Sequence, residues 1–109
     1  MRRAILFAAL LLVTGVAPAR AERICDIENR LSTIKDNEQV TVSGRITNPY
    51  RASDGTYNYD LADSCGEAYI GSDRPIKCRG KVTITGKYNE YMSMLEFTIS
   101  IWATRVSCK

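Results

Sequence analysis

Histidine is absent from the 109-residue chain. With it go the Ser-His and Cys-His pairings that commonly activate a hydroxyl or a thiol as a nucleophile. A zinc site is disfavoured as well, because its ligands would have to cluster. The four cysteines, Cys25, Cys65, Cys78 and Cys108, are scattered, and no Cys-x-x-Cys occurs. EF-hand spacing is missing too, so Asp60 and Asp63 read as carboxylates at a strand end and a turn rather than as a calcium site or a catalytic pair. Nor does any apolar run reach the roughly 20 residues needed to cross a bilayer as a helix. The expectation is a chain without enzymatic activity, metal or cofactor.

The one extended apolar stretch lies at the start. Arg2 and Arg3 precede the run Ala4 to Val16, and Ala19-Arg20-Ala21 has the small-x-small form of a cleavage site. This is the pattern of a secretory signal peptide over residues 1–21, with no integral membrane segment left after cleavage. Glu22-Arg23-Ile24 before Cys25 is too charged for a lipoprotein attachment signal. Removing 21 of the 109 residues leaves 88 (residues 22–109), enough for a single domain with a modest core. Arg2, Arg3 and Arg20 leave with the signal, which takes the 15 basic residues to 12 against 12 acidic ones. A formally neutral domain carries no overall bias towards an acidic partner. An even number of cysteines in a small exported chain reads as two disulfides, and the expected location is periplasmic or secreted.

Within residues 22–109, Val40 to Ile46 (Val-Thr-Val-Ser-Gly-Arg-Ile) recurs at Val82 to Tyr88 as Val-Thr-Ile-Thr-Gly-Lys-Tyr. Apolar residues fall at alternate positions in both copies, so each is a strand with one buried and one wet face. Gly44 and Gly86 lie on the buried face, where the lack of a side chain lets a strand bend or another backbone approach. Ile24, Ile27, Leu31 and Ile34 form a helical stripe, which predicts an N-terminal helix over about residues 24–36. A loop is expected at Asn48–Gly55. Beyond it come a strand burying Tyr57, Tyr59 and Leu61 with Asn58 and Asp60 outward, and a short strand with Ala68 and Ile70 inward. An irregular segment spans Gly71 to Gly80. A last strand begins at Leu95, with Leu95, Phe97, Ile99 and Ile101 inward.

One helix and five strands, bent by glycine in the first and fourth, resemble the oligonucleotide/oligosaccharide-binding (OB) fold, a five-stranded Greek-key barrel. The features carrying the resemblance are Val-Thr-Val-Ser-Gly-Arg-Ile, Tyr57 to Gly66 and Val82 to Lys87, and it covers Gln39 to about Val106. The layout is similar to that of small exported (periplasmic) bacterial OB-fold proteins, although the four cysteines depart from them. The fold class expected is therefore all-β with one short N-terminal helix, an OB-like Greek-key barrel stapled by two disulfides. Gly71 to Gly80 leaves no room for the usual helix between strands three and four, so the N-terminal helix is expected to cover that barrel end. Of three possible cysteine pairings, Cys65–Cys78, joining the turns around strand three, and Cys25–Cys108, joining the helix to the last strand, are the pair expected.

The resemblance implies a binding face on strands two and three, flanked by the loops between strands one and two and strands four and five. Those positions offer Tyr50, Arg51, Asn58, Asp60, Tyr69 and Tyr91, with Met92 beside them. Exposed tyrosines give large contact area at small entropic cost. The function expected is an exported interaction module that recognises a protein, peptide or glycan. The alternative is an oligonucleotide-binding domain, supported by the basic run Arg74, Lys77, Arg79, Lys81 and Lys87. Nucleic acid is the less expected partner, because no aromatic interleaves with that run before Tyr88.

Overall fold

The computed structural model describes residues 20–108, so the expected signal peptide falls almost entirely outside the described residues. Five strands, β1 (Gln39–Arg51), β2 (Tyr57–Ala62), β3 (Glu67–Ser72), β4 (Lys81–Tyr88) and β5 (Ile99–Cys108), close into a barrel in the order β1-β2-β3-β5-β4. All neighbours are antiparallel except β3 and β5, which run parallel. Two short helices, α1 (Ile24–Glu28) and α2 (Glu90–Glu96), complete the elements.

The repeated sequence closes the barrel by pairing with itself. Val40 stands opposite Gly86, Val42 opposite Ile84 and Gly44 opposite Val82, which gives the two copies a local two-fold relation about Val42 and Ile84. On the other face the hydroxyls of Thr41 and Thr85 (3.1 Å), and of Ser43 and Thr83 (2.6 Å), bond across the pair. A side chain at Gly44 would run into the Ala62 carbonyl, and one at Gly86 into the Trp102 carbonyl. Both strands therefore bend tightly against a neighbouring backbone, as a small closed barrel requires. Val42, Leu61, Ile70, Val82, Ile84 and Ile101 fill the interior.

The helical stripe places Ile24, Ile27 and Ile34 in the core as its spacing predicts. The helix itself ends at Glu28 rather than near residue 36, and the chain tightens into successive turns, with Arg30 N–H donating to Ile27 O and Leu31 N–H to Glu28 O. Asn29, Ser32 and Thr33, whose side chains compete for backbone groups, interrupt it, and Leu31 is left exposed. α1 has no side-chain cap of its own at Arg23. Its first amide, Ile24 N–H, donates instead to Asp63 Oδ2 at 2.8 Å from the β2–β3 turn.

That docking corrects the expected disulfides. The bonds are Cys25–Cys65 and Cys78–Cys108. α1 lies on the β2–β3 turn, which brings Cys25 to Cys65, and the antiparallel β4–β5 register sets Val82 opposite Cys108, close to Cys78. The place of α1 is corrected with them, since the β3–β4 connection leaves from the other end of β3. That connection supplies its own plug, Ile76, which is buried and whose N–H donates to the Tyr59 hydroxyl at 2.8 Å.

Two further differences bear on the site. β1 runs on to Arg51 through a bulge at Asn48 and Pro49, so only Ala52 to Thr56 form the loop. Proline, with no N–H to donate, is tolerated at such a bulge. The alternation at Leu95 and Phe97 does not continue the last strand. Asn89 Oδ1 accepts from Met92 N–H at 3.0 Å and caps α2, Phe97 ends it in the left-handed region (φ 55°), and β5 starts at Ile99. Among the described residues, no helix is long and apolar enough to cross a membrane.

Candidate functional site

The outer face of β2, β3 and β5 carries a cleft of about 210 Å³ between the β1–β2 loop and α2. The loop wall is set by Asp54, whose Oδ1 accepts from the Thr56 amide (3.0 Å) and hydroxyl (2.7 Å), with Gly55 beside it at φ 93°. Those two bonds hold the Asp54 carboxyl below its usual range. The opposite wall is α2, tied to the start of β5. Ser100 N–H donates to Ser93 Oγ at 2.8 Å, Ser93 Oγ donates to Asn89 O at 2.7 Å, and Asn89 N–H donates to Ser100 O at 2.8 Å. Ser100 is buried, so this small network is shielded from competing water.

The floor combines Asn58, Tyr69, Gly71 and Trp102. A side chain at Gly71 would meet the Trp102 ring, so glycine there lets the indole lie against the sheet. Asn58, expected outward and exposed, is on that face but only 7 % accessible. The site closes over it, and its amide lies within 3.5 Å of the Thr56 carbonyl and hydroxyl. Burial, followed by the negative charges of Glu96 and Asp60, raises the Tyr69 phenol above its ordinary pKa.

Of the residues expected from the sequence, Asn58, Tyr69 and Met92 line the cleft together. Asp60 stands at its margin, paired in register with Tyr69 and accepting from Asn48 Nδ2 at 2.7 Å. Tyr50 is exposed at the end of β1. Arg51 does not line the cleft, and its guanidinium stacks over the Tyr57 ring, 5.0 Å from its centroid. Tyr91 projects from α2 into solvent and does not line the cleft. Asp54, Thr56, Asn89, Ser100 and Trp102 join the site without having been singled out. For Trp102 a signal existed, since a tryptophan at an outward position of a strand is a large apolar surface without a core to enter.

The lining is two aromatic rings and the apolar Met92 and Ile101 among amides and hydroxyls, with one carboxylate and no lysine or arginine. Such a surface can stack on a flat or apolar ligand face and hydrogen-bond its edges. No protein-family profile and no curated protein sequence matches the chain.

Proposed function

We propose that this chain is an exported, non-enzymatic binding module of the OB-like type, which takes a protein, peptide or glycan in the periplasm or outside the cell. The observation that carries this reading is the cleft on β2, β3 and β5, walled by the β1–β2 loop and α2 and floored by Tyr69 and Trp102. The strand order and the position of the cleft are those expected of an OB-like domain. The apolar leader with its small-x-small site, and the pairing of all four cysteines, support export. Neutral polar groups around aromatic rings suit a glycan or a peptide backbone better than a polyanion.

The aromatic floor also suits base stacking, which favours the oligonucleotide reading as the alternative. Against it stands the missing basic track. Arg74 and Lys81 lie at other depressions of the surface, and no cation lines the cleft. Binding through phosphates draws its affinity from lysine and arginine releasing counterions.

Trp102 is the only tryptophan in the chain, so its emission reports directly on the cleft. Titration with cell-envelope oligosaccharides and with peptides selected from a random library should yield ligands that shift this emission. Tyr69→Ala should weaken them about tenfold, the equivalent of about 1.4 kcal/mol. A mixed single-stranded oligonucleotide should bind no tighter than the roughly 10⁻⁴ to 10⁻⁶ M of non-specific association at physiological salt. Submicromolar oligonucleotide binding that is weakened by Tyr69→Ala would reverse the choice between the two readings.

A further inference from the structure

Phe97 is the least economical residue of the fold. Its side chain is 96 % exposed, and its backbone lies in the left-handed region at φ 55°, ψ 32°. A bulky residue is a rare occupant there, and glycine would adopt the conformation without penalty. Neither burial nor backbone geometry explains a phenylalanine at this position. Around it the apolar exposure continues. α2 buries none of its residues, and Leu31 and Met94 form with Phe97 the rims of a second depression, about 240 Å³, whose floor is Tyr88 and Ile99. This groove lies on a different side of α2 from the cleft, with Ser93 and Met94 on its wall in place of Met92.

The one charged residue that lines the groove, Glu28, is acidic, and no lysine or arginine lines it. Glu90, which opens α2, stands three and four residues before Ser93 and Met94 and so shares their side of the helix. Among the described residues neither carboxylate forms an ion pair; the ion pairs join Arg23 to Asp26 and Arg30 to Glu22 and Glu38.

We propose that the groove between Leu31, Met94 and Phe97 docks a segment of a partner polypeptide that carries apolar side chains interspersed with lysine or arginine. The apolar anchors fill the groove around the Phe97 ring, and the basic side chains meet Glu28 and Glu90. Charge decides between this and the other occupants of an apolar face. A second copy seated groove to groove would bring the same acidic lining, with no lysine or arginine in it, to these carboxylates. An anionic lipid surface would be repelled by them. The surface is separate from the cleft, so its failure would leave the cleft reading untouched.

The test is selection of a random dodecapeptide library against the immobilised, disulfide-intact protein, followed by affinity measurement on the enriched peptides. Sequences mixing Leu, Ile or Phe with Lys or Arg are expected. Their affinity should fall at least tenfold on Phe97→Ser and on Glu28→Lys, and should be unmoved by Tyr69→Ala. Because Phe97 touches solvent rather than core, Phe97→Ser should keep the parent's thermal midpoint, which a melting curve checks. The proposal is overturned by no enrichment, by enriched peptides without basic residues, by indifference to Phe97→Ser, or by a concentration-dependent dimer in sedimentation velocity that Phe97→Ser abolishes. Co-sedimentation of the free protein with phosphatidylglycerol vesicles, lost in Phe97→Ser, would overturn it in favour of a membrane.

Discussion

Asp63 joins three parts of the molecule through one carboxylate. Its Oδ1 accepts from the amides of Cys65 (2.8 Å) and Gly66 (3.0 Å), which shapes the β2–β3 turn, and its Oδ2 accepts from Ile24 N–H (2.8 Å), which caps α1. Partial burial pushes the carboxyl upward, but the three backbone donors together outweigh it, and the folded-state pKa lies below the usual aspartate range. A depressed folded pKa means that the stabilisation is complete above the unfolded value of about 3.9 and is lost as pH falls through the lower folded value. Asp63→Ala should therefore destabilise the protein by about 0.5 to 2 kcal/mol at neutral pH, the usual cost of losing a helix cap. Hydrogen exchange should place the loss at the amides of Ile24, Cys65 and Gly66. Asp63→Asn should flatten the acid limb of a urea-stability series; an unchanged limb would assign it to other carboxylates. At the alkaline end Tyr69 has the opposite sign. Its phenol is raised, so whatever stability it contributes is present below the ordinary tyrosine range near about pH 10 and is lost as pH rises through the folded value.

Strands β1 and β4 depend on glycines whose missing side chains are replaced by a neighbour's backbone. In Gly44→Ala the new methyl meets the Ala62 carbonyl, and in Gly86→Ala the Trp102 carbonyl, and a backbone cannot yield as a flexible side chain does. Each substitution should cost about 1 to 3 kcal/mol, as overpacking does, or abolish folding outright. Gly80→Ala is the control. Nothing lies within 4 Å of the new methyl and its φ is not positive, so urea denaturation should find it neutral or stabilised by up to about 1 kcal/mol. These two glycines were legible in the sequence because period-two alternation fixes which face every residue takes. The same rule failed at Leu95 and Phe97, where apolar residues at alternate positions mimic a strand. The local signal that wins there is the Asn89 cap followed by Glu90 and a run of good helix formers, Met92, Met94 and Leu95. Alternation reads faces only once an element type is granted, and a seven-residue helix is short enough to pass for the start of a strand. The failure reached the site, since α2 supplies one wall of the cleft and the whole Phe97 face.

At the scale of the whole molecule, the five-stranded barrel was legible through its resemblance while the covalent clamps were not, because a disulfide depends on where two distant elements finish. β5 runs back along β4, so Cys108 ends opposite Val82 and reaches Cys78, while α1 turns onto the β2–β3 turn and not towards the end of β5. Non-reducing peptide mapping should recover Cys25–Cys65 and Cys78–Cys108. The two bonds span 40 and 30 residues. By the loop-entropy model they contribute about 4 and about 3.6 kcal/mol, too close to rank the bonds on chain entropy alone. What each bond holds in place separates them. Cys78–Cys108 joins the approach to β4 to the end of β5, where residues Thr104 to Cys108 are exposed and the ladder between the strands persists without the bridge. Cys25–Cys65 holds α1, which buries Ile24 and Ile27 completely and is capped from the same turn by Asp63. Without that bond, a five-residue helix too short to persist alone is kept in place by two isoleucines and one cap. Cys25→Ala/Cys65→Ala should therefore lower the urea midpoint more than Cys78→Ala/Cys108→Ala, and should speed exchange of the α1 amides ahead of the barrel. A larger loss from the Cys78–Cys108 pair would instead mean that the end of β5 governs cooperative unfolding and that α1 is a dispensable cover.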